Sequence, residues 1–78
     1  MALKWTEKRT ALGTSAFDAE FAESGHAFVW QEYERGCYTW WWCAVGEKYR
    51  PGYRYAEGTS ETLEKAKQDA EKHIALWQ

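Results

Sequence analysis

Trp40-Trp41-Trp42, inside the apolar run Cys37-Tyr38-Thr39-Trp40-Trp41-Trp42-Cys43-Ala44-Val45, decides the fold of this chain. Successive side chains of a strand point to opposite faces of its sheet, so Trp41 stands opposite Trp40 and Trp42. One face can be covered by the protein's own core. The other then carries a large aromatic outward, where it is covered by something else or binds something.

Working outward from that strand, the flanking residues alternate in the same way. Leu3-Lys4-Trp5-Thr6-Glu7-Lys8 reads as an edge strand with lysines guarding one side. Phe17-Asp18-Ala19-Glu20-Phe21 and Ala27-Phe28-Val29-Trp30-Gln31-Glu32-Tyr33 flank Ser24-Gly25, a hairpin signal. Glu34-Arg35-Gly36 suits a three-residue turn closed by a left-handed glycine. After the loop from Gly46 to Gly52, Tyr53-Arg54-Tyr55-Ala56 reads as a short last strand. From Ser60 the period changes to 3.6, with Leu63, Ala66, Ala70, Ile74 and Trp77 on one stripe of an amphipathic helix. Gly58-Thr59-Ser60 supplies the break, Ser60 or Thr62 the cap, and acids in the first turn suit the helix dipole.

The expected fold is therefore α+β in one domain, residues 1–78: an antiparallel meander of four or five strands over about residues 2–57, and one helix over about 60–77 packed on one face. With a two-residue turn at Ser24-Gly25 and a three-residue turn at Glu34-Arg35-Gly36, the helix side carries Phe17, Ala19, Phe21, Phe28, Trp30, Trp40 and Trp42. The opposite side carries Asp18, Glu20, Val29, Gln31, Tyr33, Thr39 and Trp41. A one-residue change in either turn exchanges faces.

At 78 residues the chain is near the size where a single core barely outweighs conformational entropy. Six Trp, five Tyr and three Phe fit that limit, since each buried aromatic removes a large area from water. A net charge of −2 argues against a general binder of nucleic acid or anionic membrane. No apolar run is long enough to span a bilayer, and Met1-Ala2-Leu3-Lys4-Trp5 lacks the apolar stretch of a signal peptide, so a soluble cytoplasmic protein is expected. Cys37 and Cys43 fall in one strand roughly 20 Å apart, too far for a disulfide, and are expected as reduced thiols.

The residues suggest no catalytic constellation. His26 lies at a turn and His73 near the helix end, with no nucleophile, base and orienting group to link them. Cys37, Cys43, His26 and His73 show none of the short spacings of a metal site, and Gly46 and Gly52 flank a loop rather than opening a helix on a phosphate. Neither metal nor cofactor is expected. Two surface patterns remain. Asp18, Glu20, Glu23, Glu32 and Glu34 form an acidic stretch with no Lys or Arg through residue 34; beside Tyr33 and Trp41 it suits docking onto a basic protein surface. Lys48-Tyr49-Arg50-Pro51-Gly52-Tyr53-Arg54-Tyr55 alternates cations and aromatics, a composition that stacks on single-stranded bases.

Thr62-Leu63-Glu64-Lys65-Ala66-Lys67-Gln68-Asp69-Ala70-Glu71 after a meander resembles the last helix of double-stranded RNA-binding domains. That family has two helices and a lysine pair where Leu63 and Glu64 stand, so RNA binding is not supported. The tail, with Gly58, Thr62-Leu63-Glu64 and Ala66-Lys67, is also similar to that of short phage and prophage proteins of sheet-then-helix build, among them small anti-CRISPR inhibitors. The resemblance implies a non-enzymatic inhibitor in the cytoplasm of a bacterial host, bound to a CRISPR-Cas nucleoprotein complex and blocking target DNA. On this reading Asp18, Glu20, Tyr33 and Trp41 form the contact surface. Two alternatives stay open: a homodimer that buries the same outer face, and a single-stranded nucleic-acid binder working through Arg50, Tyr53 and Arg54.

Overall fold

The structure, a computed structural model, describes residues 3–9, 15–21, 25–46 and 54–77. Strands β1 (Thr6–Arg9), β2 (Ser15–Phe21), β3 (Gly25–Glu34), β4 (Cys37–Gly46) and β5 (Arg54–Ser60) precede one helix, α1 (Leu63–Leu76). The strands lie in the order β1-β2-β3-β4-β5, each antiparallel to its neighbour, so the sheet is a five-stranded meander and the fold is α+β as expected.

The helix buries the stripe its period announced: Ala66, Ala70 and Ile74 are fully buried, and Leu63 and Trp77 pack at the margins. Two alanines at the contact let the helix axis approach the sheet closely. Against them the sheet presents Val29 and Trp42, while Ile74 sits among Phe21, Ala27 and Ala44. Leu3 and Trp5 were expected within the first strand, but β1 begins at Thr6. The two residues instead close the core ahead of it, and Trp5 touches both halves. The Leu3 backbone N–H donates to Glu71 Oε2 at 2.6 Å, tying this segment to α1.

The strand between the two predicted turns is turned over relative to expectation. β2 pairs with β3 in the register Phe21↔Gly25 and Ala19↔Ala27, so Gly25 is a strand residue and not part of a two-residue turn. The physical reason is the Phe21 ring: a Cβ on Gly25 would lie 2.4 Å from Phe21 Cε2, so glycine makes room for an aromatic across the ladder. At the other end of β3, Glu34 pairs with Cys37, leaving a two-residue turn, Arg35-Gly36. Both turn residues have positive φ, 51° and 82°, as a two-residue hairpin matched to strand twist demands. Each register differs from expectation by an odd number of positions, so the errors cancel for β4. Only β3 changes faces. Val29 is on the helix side with no exposed surface, and Phe28 and Trp30 lie on the outer face.

The last strand runs to Ser60 rather than ending near residue 57, because Gly58 too is used for close approach. It pairs with Trp42, and a Cβ there would lie 2.8 Å from the indole Nε1. Ser60 is consequently not the helix cap. Thr62 is: its Oγ1 accepts from Lys65 N at 3.1 Å. The buried Ser60 hydroxyl instead donates to Asp69 Oδ2 at 2.8 Å, and Lys65 Nζ donates to Oδ1 at 2.8 Å, clamping the end of the sheet to the first turns of α1.

Candidate protein-binding surface

The pairing registers place the outer face in three rows across the sheet. One row reads Lys8, Ala16, Trp30, Trp41, Thr59; the next Thr6, Asp18, Phe28, Cys43, Glu57; the third Glu20, His26, Val45, Tyr55. Aromatic and apolar side chains occupy the centre. Trp30 and Trp41 are cross-strand partners whose rings stack 6.2 Å apart at 13°, and Phe28 is 39% exposed with its ring stacked 6.0 Å from His26. A shallow groove of about 330 Å³ runs beside them, lined by Lys8, Ala16, Asp18, Phe28 and Trp30 among others. The Trp41 indole N–H is buried without an acceptor among the described residues. Such an orphan donor costs on the order of 1–3 kcal/mol, and the Trp5 indole N–H in the core is in the same position.

The charged rim is divided. Asp18 and Lys8 form an ion pair at 2.7 Å, and that hydrogen bond, with the carboxylate charge, raises the Lys8 ammonium above its ordinary pKa. Three further acids lie beside aromatic rings. His26 Nε2 lies 3.4 Å from Glu20 Oε1, Trp30 Nε1 donates to Glu32 Oε1 at 3.1 Å, and Tyr55 Oη donates to Glu57 Oε2 at 2.8 Å. Among the described residues no Lys or Arg forms an ion pair with these three acids.

Of the residues singled out by sequence, Asp18, Glu20 and Trp41 meet on this face. Tyr33 does not. The register that turns β3 over puts it on the helix side, where it contacts Tyr38 at 4.9 Å between ring centroids and remains 65% exposed. The β3–β4 ladder continues through Glu32↔Thr39, Tyr33↔Tyr38 and Glu34↔Cys37 past the last β2 and β5 pairs, so the tyrosine pair sits on a projecting arm. Glu32 is on the outer face as an acid, whereas Glu23, Arg50 and Tyr53 lie outside the described residues. Arg54 is exposed at the start of β5. Phe28, Trp30 and Glu57 were not expected here. Trp30 and Phe28 become legible once Gly25 is read as space for the Phe21 ring, and Glu57 once Gly58 is read as space for Trp42.

The histidines stay apart, His26 on the outer face and His73 on α1 against Trp42 at 5.0 Å between rings. Both thiols are free; Cys37 is exposed and Cys43 half-buried. Burial first, then the Glu57 charge, raises the Cys43 pKa, and Tyr55 partly offsets them. Among the described residues no three His, Cys, Asp or Glu side chains converge as a metal site, and no helix is long and apolar enough to cross a membrane.

No protein family, curated protein or solved structure matches the chain.

Proposed function

We propose that the chain is a non-enzymatic protein-binding module that works through the outer face of its sheet. We place it with small phage-encoded inhibitors of the anti-CRISPR type, holding a host CRISPR-Cas nucleoprotein complex off its target DNA. The observation that carries the binding role is the stacked Trp30–Trp41 pair beside exposed Phe28, on a face that no described element covers. A protein this small has little aromatic area to spare, and large aromatics left outward at the centre of a rigid sheet are the usual anchors of interfaces. The class of partner rests on the tail that resembles short phage inhibitors, Gly58 with Thr62-Leu63-Glu64 and Ala66-Lys67.

The experiment is a target-DNA binding assay with purified host CRISPR-Cas complexes. Added wild-type chain is expected to abolish DNA binding by one of them, and Trp41→Ala, at the same helical content, to relieve that inhibition at least tenfold. Undiminished DNA binding with every complex refutes the inhibitor role. Inhibition that Trp41→Ala leaves unchanged refutes the outer face as its surface.

A further inference from the structure

We infer that the element received by the outer face is a cationic amphipathic helix of the partner, lying along the strands. The inference rests on the outer face being the contact surface.

Three observations lead to it. The first is charge. With Asp18 paired to Lys8, the carboxylates of Glu20, Glu32 and Glu57 remain around the aromatic centre on β2, β3 and β5: Glu32 accepts from Trp30 and Glu57 from Tyr55, Glu20 lies beside His26 and within reach of the Lys8 charge, and among the described residues no Lys or Arg forms an ion pair with the three. Lys4, at the β1 margin, reduces this negative total without reversing it. The complementary ligand has an apolar stripe between cations. A second copy of this chain brings the same acids against themselves and is the poorer fit.

The second is hydrogen bonding. Residues at the centre of a sheet have their backbone groups engaged in the ladder, so a segment laid on the face must satisfy its own. A helix does this internally, whereas an isolated strand does not. The opposite face of this sheet already seats a helix, the 14-residue α1, on Val29 and Trp42.

The third is spacing. His26, beside Glu20, and Glu32 lie six residues apart on β3, about 20 Å along the strand. A helix covers that distance in about 13 residues. The partner segment therefore carries basic residues at both ends of an apolar stripe of three to four turns, a pattern read as i, i+3, i+4 and i+7 anchors.

The probes are two designed 18-residue peptides with the same leucine stripe, one with lysine and one with glutamate at every polar position. They are titrated into the full chain and followed by tryptophan fluorescence at two salt concentrations. The lysine peptide is expected to bind, to weaken at least tenfold at high salt, and to weaken similarly on the triple variant Glu20→Gln, Glu32→Gln, Glu57→Gln and on Trp41→Ala. The glutamate peptide is expected not to bind. Equal binding of the two peptides, binding indifferent to Trp41, or binding of neither overturns the helix inference. So does concentration-dependent dimerisation in sedimentation that Phe28→Arg abolishes. If neither peptide binds yet a host complex is held in a Trp41-dependent way, the contact surface stands and only its ligand has been misassigned.

Discussion

Trp30 and Trp41 are direct cross-strand partners on the face that α1 leaves uncovered, with indole planes 13° apart. The neighbouring pair, Val29 and Trp42, is its mirror on the covered face, where both side chains are buried against Ala66 and Ala70. One hairpin thus supplies both the protein's core and its surface. The Trp40-Trp41-Trp42 run is what forces this division: alternation sends Trp40 and Trp42 to the helix and Trp41 outward.

Gly58→Ala tests the covered half. The Trp42 indole lies over Gly58 and is only 5% exposed, so it has little room to move away from a methyl group. Loss of about 1–3 kcal/mol is expected in denaturant or thermal unfolding. Unchanged stability would show that the indole does not rest there.

Arg35→Asn tests the turn. Arg35 holds φ at 51°, a conformation that costs a branched or bulky side chain more than it costs asparagine, and Asn-Gly is the favoured pair for this hairpin. A gain of about 0.5–1 kcal/mol is expected, with outer-face binding unaffected. Destabilisation would mean that Arg35 makes a contact the fold depends on.

The clamp at the top of the helix gives a pH dependence. The Lys65 hydrogen bond, with help from Ser60 and nearby lysine charge, holds the Asp69 carboxyl below its ordinary pKa, against a smaller opposing effect of burial. Its contribution is therefore present above the unfolded value of about 3.9 and is lost as pH falls through the lower folded value. Melting temperatures of wild type and Asp69→Asn are expected to differ most at neutral pH and to converge in acid. A constant gap from pH 7 to strongly acidic solution contradicts the assignment.

Thiol chemistry separates the two cysteines. Cys37 is exposed, whereas Cys43 is half-buried and its thiolate is disfavoured by burial and by Glu57. The thiolate is the reacting species, so alkylation followed by mass spectrometry is expected to label Cys37 first and Cys43 at least several-fold more slowly. Equal rates would place Cys43 in more open surroundings than the sheet allows.

Strands, helix, meander order and the helix stripe were readable from periodicity, because alternation and the 3.6 repeat follow from the same sterics that build the elements. The face of β3 was not. Gly25 looks like turn punctuation in sequence, yet it is a ladder residue that admits the Phe21 ring, and no local pattern tells those uses apart. The same ambiguity at Gly58 hid the last residues of β5. The site was half legible for that reason: Asp18, Glu20 and Trp41 kept their face because β2 and β4 did, and Tyr33 left it while Trp30 and Phe28 arrived. That Asp18 is neutralised by Lys8 was also invisible, since the pairing depends on the β1–β2 register.

Surface binding kinetics against the host complex proposed as the target compare wild type with Trp41→Ala, Glu20→Lys and Tyr33→Ala, after each has been checked for an unchanged fold. Trp41→Ala is expected to speed dissociation by a factor of about 30 or more, the equivalent of roughly 2 kcal/mol for a central aromatic anchor. Glu20→Lys is expected mainly to slow association and flatten its salt dependence, and Tyr33→Ala, on the opposite face, to change neither rate. Wild-type kinetics for Trp41→Ala together with rapid dissociation of Tyr33→Ala would contradict the account and move the contact surface to the projecting β3–β4 arm.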